Sequence, residues 1–180
     1  MINALVGRRI AKVSGTPGKT RALNVYEIPR SGEWEVVPDG AKRTSGADRH
    51  EPLPTPHSLY FLDLPGYGYA RVSKQQRAAF ANLVRHVLAR PRLAGIVWLL
   101  DIRHDPSAGD RDMQDLLAGA GSHVLAAATK SDKLSRARRE EQALALRQAL
   151  GLDADQLVVT SAQTREGLDA LREAVMALVA

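Results

Sequence analysis

Four short clusters in this chain combine residue types suited to holding a nucleotide and a divalent ion. Asp63-Leu64-Pro65-Gly66 pairs a carboxylate that can hold Mg2+ through a water with a glycine whose N–H, unscreened by a side chain, can approach a terminal phosphate. Thr129-Lys130-Ser131-Asp132 offers a carboxylate that can accept hydrogen bonds from both N1–H and the exocyclic amine of guanine. Adenine presents the opposite pattern and would leave that carboxylate unpaired, a mismatch worth roughly ten-thousand-fold or more in discrimination. The Lys130 stem can lie along the base plane, and the backbone N–H groups of Ser161-Ala162 can donate to guanine O6. Gly15-Thr16-Pro17-Gly18-Lys19-Thr20 is a glycine-rich loop with a Thr hydroxyl able to ligate Mg2+. Each cluster also has a plainer reading: a strand-ending turn, a helix cap, a meaningless dipeptide and an ordinary turn.

The elements that must position these clusters follow from the hydrophobic pattern. Leu23–Ile28 and Ser58–Leu64 read as strands, with Glu33–Val37 a candidate extra hairpin strand. Ser73–Ala89 reads as a helix, with Ser73 as N-cap and Phe80, Leu83, Val84, Val87 and Leu88 at helical spacing. Gly95–Asp101 and His123–Thr129 are apolar runs of the kind found in buried parallel strands. Asp110–Ala118 and Ser135–Leu150 read as helices, Leu157–Thr160 as a last strand and Gly167–Val179 as a closing helix. Alternation of this kind predicts an α/β fold, a mostly parallel sheet with helices on both faces. Ligands of such sheets sit at the carboxyl ends of the strands, where three of the four clusters fall. Between Pro29 and His57 lie five of the nine prolines and three glycines, which predicts an extended surface insertion at about 29–57. RNA contact by Lys42, Arg43 and Arg49 is the sharper reading of that stretch and a solvated loop the plainer one.

The 180 residues suffice for one domain, and 44% hydrophobic content excludes intrinsic disorder. With no Cys, disulfide scaffolds, thiolate metal sites and thiol catalysis are excluded. No apolar stretch approaches the ~20 residues of a membrane helix. The net charge of +5 is concentrated: residues 1–21 hold Arg8, Arg9, Lys12, Lys19 and Arg21 with no acid, and the rest balances. A transit peptide and a phosphate-binding segment both fit that local excess. Other features take plain readings. Asp101, Asp105, Asp110 and Asp112 form a polar loop and helix cap, because Pro106 stands where a calcium loop needs glycine. Trp98 is core, and Arg136–Arg139 a solvated helix face, with rRNA contact as its sharper alternative.

Jointly, Thr20, DLPG, TKSD and SA occur in the order of a guanine-nucleotide site on one sheet edge, the constellation of a P-loop GTPase. The segments TPGKT, DLPGYGYARVSK (Asp63–Lys74), DIRHDPSAGDRDM (Asp101–Met113) and TKSD resemble the EngB (YihA/YsxC) family of ribosome-assembly GTPases. The resemblance runs from Ile2 to the C-terminus except for the insertion, and implies one G domain over residues 1–180. It implies binding of GTP and GDP with Mg2+, slow hydrolysis, and a role in assembly of the large ribosomal subunit that supports cell division and growth. The implied partner is the large subunit and its rRNA, with no membrane or DNA partner, for a cytoplasmic monomer. By position, Thr20 would be the switch Mg2+ ligand within Gly18, Lys19, Thr20, Arg21 and Ala22. Asp63, Leu64, Pro65 and Gly66 would form the phosphate and Mg2+ loop, with Asp63 acting through a water. Thr129, Lys130, Ser131 and Asp132, with Thr160, Ser161 and Ala162, would hold the base.

The chain departs from that pattern in two places. It contains no G-x-x-x-x-G-K-S, and Gly15–Thr20 is too short to wrap a phosphate. The expectation is a G domain lacking its first strand and phosphate loop, through a misplaced start, with a module that does not turn over nucleotide as the rival reading. The residue after the D-x-x-G glycine is Tyr67, without the amide that orients water in many GTPases, which predicts slow hydrolysis. No catalytic residue or arginine finger is assigned.

Overall fold

The computed structural model describes residues 1–11, 23–29, 58–67 and 73–179. The chain divides into two units, Met1–Leu64 and Pro65–Ala180. The Glu33–Val37 strand, the body of the insertion and residues 18–22 lie outside the described residues.

In the first unit a short helix α1 (Ile2–Val6) buries Leu5 and Val6 and ends at Gly7, whose φ of 71° needs a glycine. The Asn3 side chain pins the chain that follows. Its Oδ1 accepts from Ile10 N and Ala11 N at 2.9 and 2.8 Å, and its Nδ2 donates to Ala11 O at 2.8 Å. Strands β1 (Asn24–Pro29) and β2 (Ser58–Asp63) pair antiparallel, Asn24 opposite Asp63 and Pro29 opposite Ser58. Glu27 accepts hydrogen bonds from Ser58 Oγ and Tyr60 OH across the ladder.

The second unit is the α/β part. Strands β3 (Ile96–Asp101), β4 (Val124–Thr129) and β5 (Leu157–Val159) form a parallel sheet in that order. Asp101 is level with Thr129, and Ala128 with Val159, so the three carboxyl ends lie at one edge. Parallel neighbours need crossovers. Helices supply them: α3 (Ala108–Ala118) between β3 and β4, and α4 (Arg136–Leu150) between β4 and β5. Helix α2 (Lys74–Leu88) precedes the sheet and α5 (Leu168–Leu178) follows it.

Helix α2 starts as the sequence predicts: Ser73 caps it in a reciprocal box with Gln76. Helix α3 starts two residues earlier than Asp110, because Ser107 and Asp110 form the same reciprocal box and make Asp110 the third residue of the helix. The core gathers Trp98, Leu100, Ile102, Leu146, Leu168 and Leu171, all under 5% exposed. Ala126, Ala127 and Ala128 occupy the middle of β4 with no exposure at all. Among the described residues no helix is long and apolar enough to cross a membrane.

Candidate functional site

Past β4 the chain turns sharply at Lys130, held in the left-handed region at φ 66°, and enters a single 3-10 turn over Ser131–Lys133. Thr129 anchors the exit, its hydroxyl donating to Leu100 O at 2.8 Å. This loop and the one after β5 are joined through their backbones. Thr160 N–H donates to Ala128 O at 2.8 Å and Ser131 N–H to Thr160 O at 3.2 Å. Ser131, Thr160 and Ser161 are completely buried by that joining, whereas Ala162 is exposed.

Asp132 sits where the two loops meet. Its Oδ1 accepts from Ser161 Oγ at 2.6 Å and its Oδ2 faces Lys133 Nζ at 3.1 Å, with 10% of the side chain exposed. The Ser161 hydroxyl is fixed in turn by the N–H groups of Gln163 and Thr164, both at 3.1 Å. The Ser161 bond, then Lys133, hold the Asp132 carboxyl below its usual range. An ionised, acceptor-only carboxylate is therefore presented at neutral pH. Lys130 reaches the end of β3 instead, its Nζ 2.8 Å from Asp101 Oδ2. Arg103 also clamps Asp101, through Nε at 2.8 Å and Nη2 at 2.6 Å. The Arg103 bonds first and Lys130 next hold Asp101 well below the carboxylate range, against the opposing effect of burial.

Glu166, which the sequence reading did not single out, ties the loops from beneath together with Arg139. Glu166 Oε2 accepts from the Ser131 hydroxyl at 3.1 Å, and both Glu166 oxygens lie 2.7 Å from Arg139 Nη1. Arg139 Nε donates to Leu134 O, and Glu166 O accepts from Ser161 N–H at 3.0 Å. The solvated face expected of Arg136–Arg139 describes Arg136 and Arg138, which pair on the surface with Glu140 and Glu141, but Arg139 turns inward. The Ser161 N–H, one of the two donors expected here, thus has an internal acceptor in Glu166 O. Gly167, at φ 69°, lets the chain pass under β5: a Cβ there would lie 2.0 Å from Val159 O. No local pattern signals Glu166, because its partners are too far apart along the chain.

In the first unit, Asp63 ends β2, half-buried, and Leu64 follows it. Burial raises the Asp63 carboxyl pKa and the Met1 amine opposes this. In the second unit Pro65 and an exposed Gly66 lead to Tyr67. The Tyr67 hydroxyl donates to Asp110 Oδ1 at 2.9 Å and accepts from Trp98 Nε1 at 2.5 Å, and its ring lies 5.9 Å from that of Phe80. Burial pushes its phenol far above the usual range. Trp98 is core, as expected, at 4% exposure. Asp110 caps α3 as expected and holds Tyr67 besides. Thus Thr129–Asp132 and Thr160–Ala162 come together, while Gly18–Ala22 lie outside the described residues.

The family model described as 50S ribosome-binding GTPase matches residues 1–130. The probable GTP-binding protein EngB of Gemmatimonas aurantiaca is 38% identical over all of this chain and 76% of its own length. The chain belongs to the EngB family of GTP-binding proteins. The EngB protein of Leuconostoc citreum is 34% identical over 98% of this chain and 79% of its own. Solved structures agree on the fold. A crystal structure of a probable EngB protein matches 67% of this chain and 77% of its own, at TM-score 0.56 and 14% identity. Aquifex aeolicus Era bound to GDP·AlF4− matches 98% of this chain, which spans about half (51%) of Era, at TM-score 0.68 and 17% identity. Era has also been solved with MgGDPNP and a segment of 16S ribosomal RNA, at TM-score 0.65 and 18% identity.

Proposed function

We propose that this chain is a guanine-nucleotide-binding, slowly hydrolysing factor in assembly of the large ribosomal subunit, acting in the cytoplasm and needed for normal cell division. The observation that carries the nucleotide part is the Asp132 carboxylate, oriented by Ser161 and kept ionised where the two loops meet. It accepts from N1–H and the exocyclic amine of guanine, while the Ala162 N–H donates to O6. Adenine would face both groups with the wrong partner. The rRNA part is supported by the ribosome-binding description of the family model and by the Era complex with rRNA.

Mg2+ suits the residues available. Asp63 is a hard oxygen donor that faces no side-chain cation among the described residues. With Mg2+ bound through a water to Asp63 and directly to the Thr20 hydroxyl, the ion would neutralise phosphate charge. Tyr67 supports slow turnover: it has no amide to orient a water, and its hydroxyl is committed to Asp110 and Trp98.

Titrating fluorescent GDP, ADP and xanthosine diphosphate analogues into the chain and its Asp132→Asn variant tests the reading. It expects GDP preferred over ADP, and a switch by the variant toward xanthosine diphosphate, whose 2-oxo group can accept from the Asn amide. Equal binding of GDP and ADP by the unaltered chain would refute it.

A further inference from the structure

From Leu64 to Leu100 the sequence holds no acidic residue but six cations: Arg71, Lys74, Arg77, Arg85, Arg90 and Arg92. The five from Lys74 onward are all exposed, and none has an ion-pair partner among the described residues. Of the ten cations elsewhere in this unit, seven pair with carboxylates, namely Arg103, Lys130, Lys133, Arg136, Arg138, Arg139 and Arg172, while Arg111, Arg147 and Arg165 stand singly and apart in the sequence.

Helix stability does not account for the difference. Lys74 and Arg77 occupy the start of α2, where the helix dipole disfavours cations, and no acid offsets them there. Helix α4 also starts basic, but Glu140, Glu141 and Glu166 neutralise its arginines. Lys74 and Arg85 are eleven residues apart, which at the α-helical repeat puts them on one side within about 20° and some 16 Å apart along the axis. Arg90 and Arg92 follow directly after the end of α2, both exposed, where Arg90 N–H donates to Val87 O.

We propose that this row is a docking surface for the sugar–phosphate backbone of RNA. The inference rests on the reading that the chain works on rRNA and adds where the contact lies. Four of the five described cations are Arg, whose planar fork matches phosphate oxygens. The other exposed positions on α2 are Gln75, Gln76, Ala78, Ala79, Asn82 and His86. These give a protein partner no aromatic or large aliphatic anchor. They also leave a lipid surface no apolar face, because Val84 and Val87 are buried. Recognition by such a row is electrostatic, with little dependence on base sequence.

Fluorescence anisotropy with an RNA duplex of about 20 base pairs, across a salt series, tests the surface in the whole chain. The variant replaces Lys74, Arg77, Arg85, Arg90 and Arg92 by Gln, and the control replaces Arg136 and Arg138 by Gln. Each lost phosphate contact lowers the slope of log K against log salt by about 0.9, taking the duplex DNA value. The variant is expected to lose at least two units of slope and a hundredfold or more in affinity at low salt, and the control less than one unit. Should the variant fail to fold, Arg85→Gln with Arg92→Gln is expected to lose between one and two units. If the chain binds RNA and the variant binds equally, the surface is wrong while the rRNA reading stands. If the chain binds no RNA at low salt, both fail. Equal binding of a DNA duplex, or equal displacement by polyglutamate or anionic vesicles, overturns the assignment to RNA.

Discussion

Gly167→Ala will cost more than its backbone angle alone explains. Gly151 and Gly167 both sit in the left-handed region, at φ 58° and 69°, so an alanine at either carries the same conformational penalty of about 1–2 kcal/mol. Their surroundings differ. A Cβ on Gly151 meets nothing within 4 Å, whereas one on Gly167 would lie 2.0 Å from Val159 O and 3.1 Å from its carbonyl carbon. A backbone carbonyl cannot rotate out of the way, so β5 or α5 must shift by an ångström or so. Overpacking of that kind adds about 1–3 kcal/mol. For a chain of this size 1 kcal/mol moves the melting temperature by about 2–4 °C. The Gly167→Ala protein is thus expected to melt about 2–12 °C below Gly151→Ala, followed by far-ultraviolet circular dichroism. The shift also drags Thr160, whose N–H and carbonyl hold Ala128 and Ser131, so amide exchange should rise at Ser131 and Ser161 in the first variant only. Coincident melting curves, with exchange unchanged, would refute the reasoning.

Tyr67→Phe removes the acceptor of the buried Trp98 N–H, which costs about 1–3 kcal/mol and alters Trp98 fluorescence; an unchanged urea midpoint and emission spectrum would contradict this. Glu166→Ala strands the buried Ser131 hydroxyl at a similar cost of about 1–3 kcal/mol, and adding Ser131→Ala should recover part of it, as urea unfolding of the single and double variants will reveal. Asp101 has a carboxyl pKa lowered in the folded state by Arg103 and Lys130, so its stabilisation is fully present above the unfolded value of about 4. It is lost as pH falls from there through the lower folded value. Asp101→Asn should therefore flatten the acid limb of a stability–pH profile, and an unaltered limb would count against the assignment.

The parts of the fold that sequence could reveal are those written in local pattern. The apolar runs ending in Asp101 and Thr129 identified parallel strands, and Ser73 marked the start of α2 within a residue. The two loops that meet at Asp132 were legible because TKSD and SA each follow a strand. The antiparallel pairing of β1 with β2 was not, since its register depends on residues on either side of a long insertion. Three-dimensional partnerships were equally hidden. Glu166 reaches Ser131 and Arg139 across 35 and 27 positions, and no spacing rule announces that. Tyr67 looked like a missing amide, yet it is also an anchor, because Trp98 and Asp110 lie 31 and 43 residues away.

The three alanines of β4 have a consequence for motion and mutation alike. Successive strand residues point to opposite faces, so Ala126, Ala127 and Ala128 bring both neighbouring layers against the strand with nothing longer than a methyl between. A methyl has no rotamers to populate, so folding here forfeits no side-chain entropy and warming finds no side-chain disorder to release. The Thr129–Asp132 loop hangs directly from this strand and inherits a mount whose only freedom is that of the backbone. The same feature makes the strand a poor place for sequence drift: nearly every substitution enlarges it, and each enlargement costs about 1–3 kcal/mol while displacing the loop it carries.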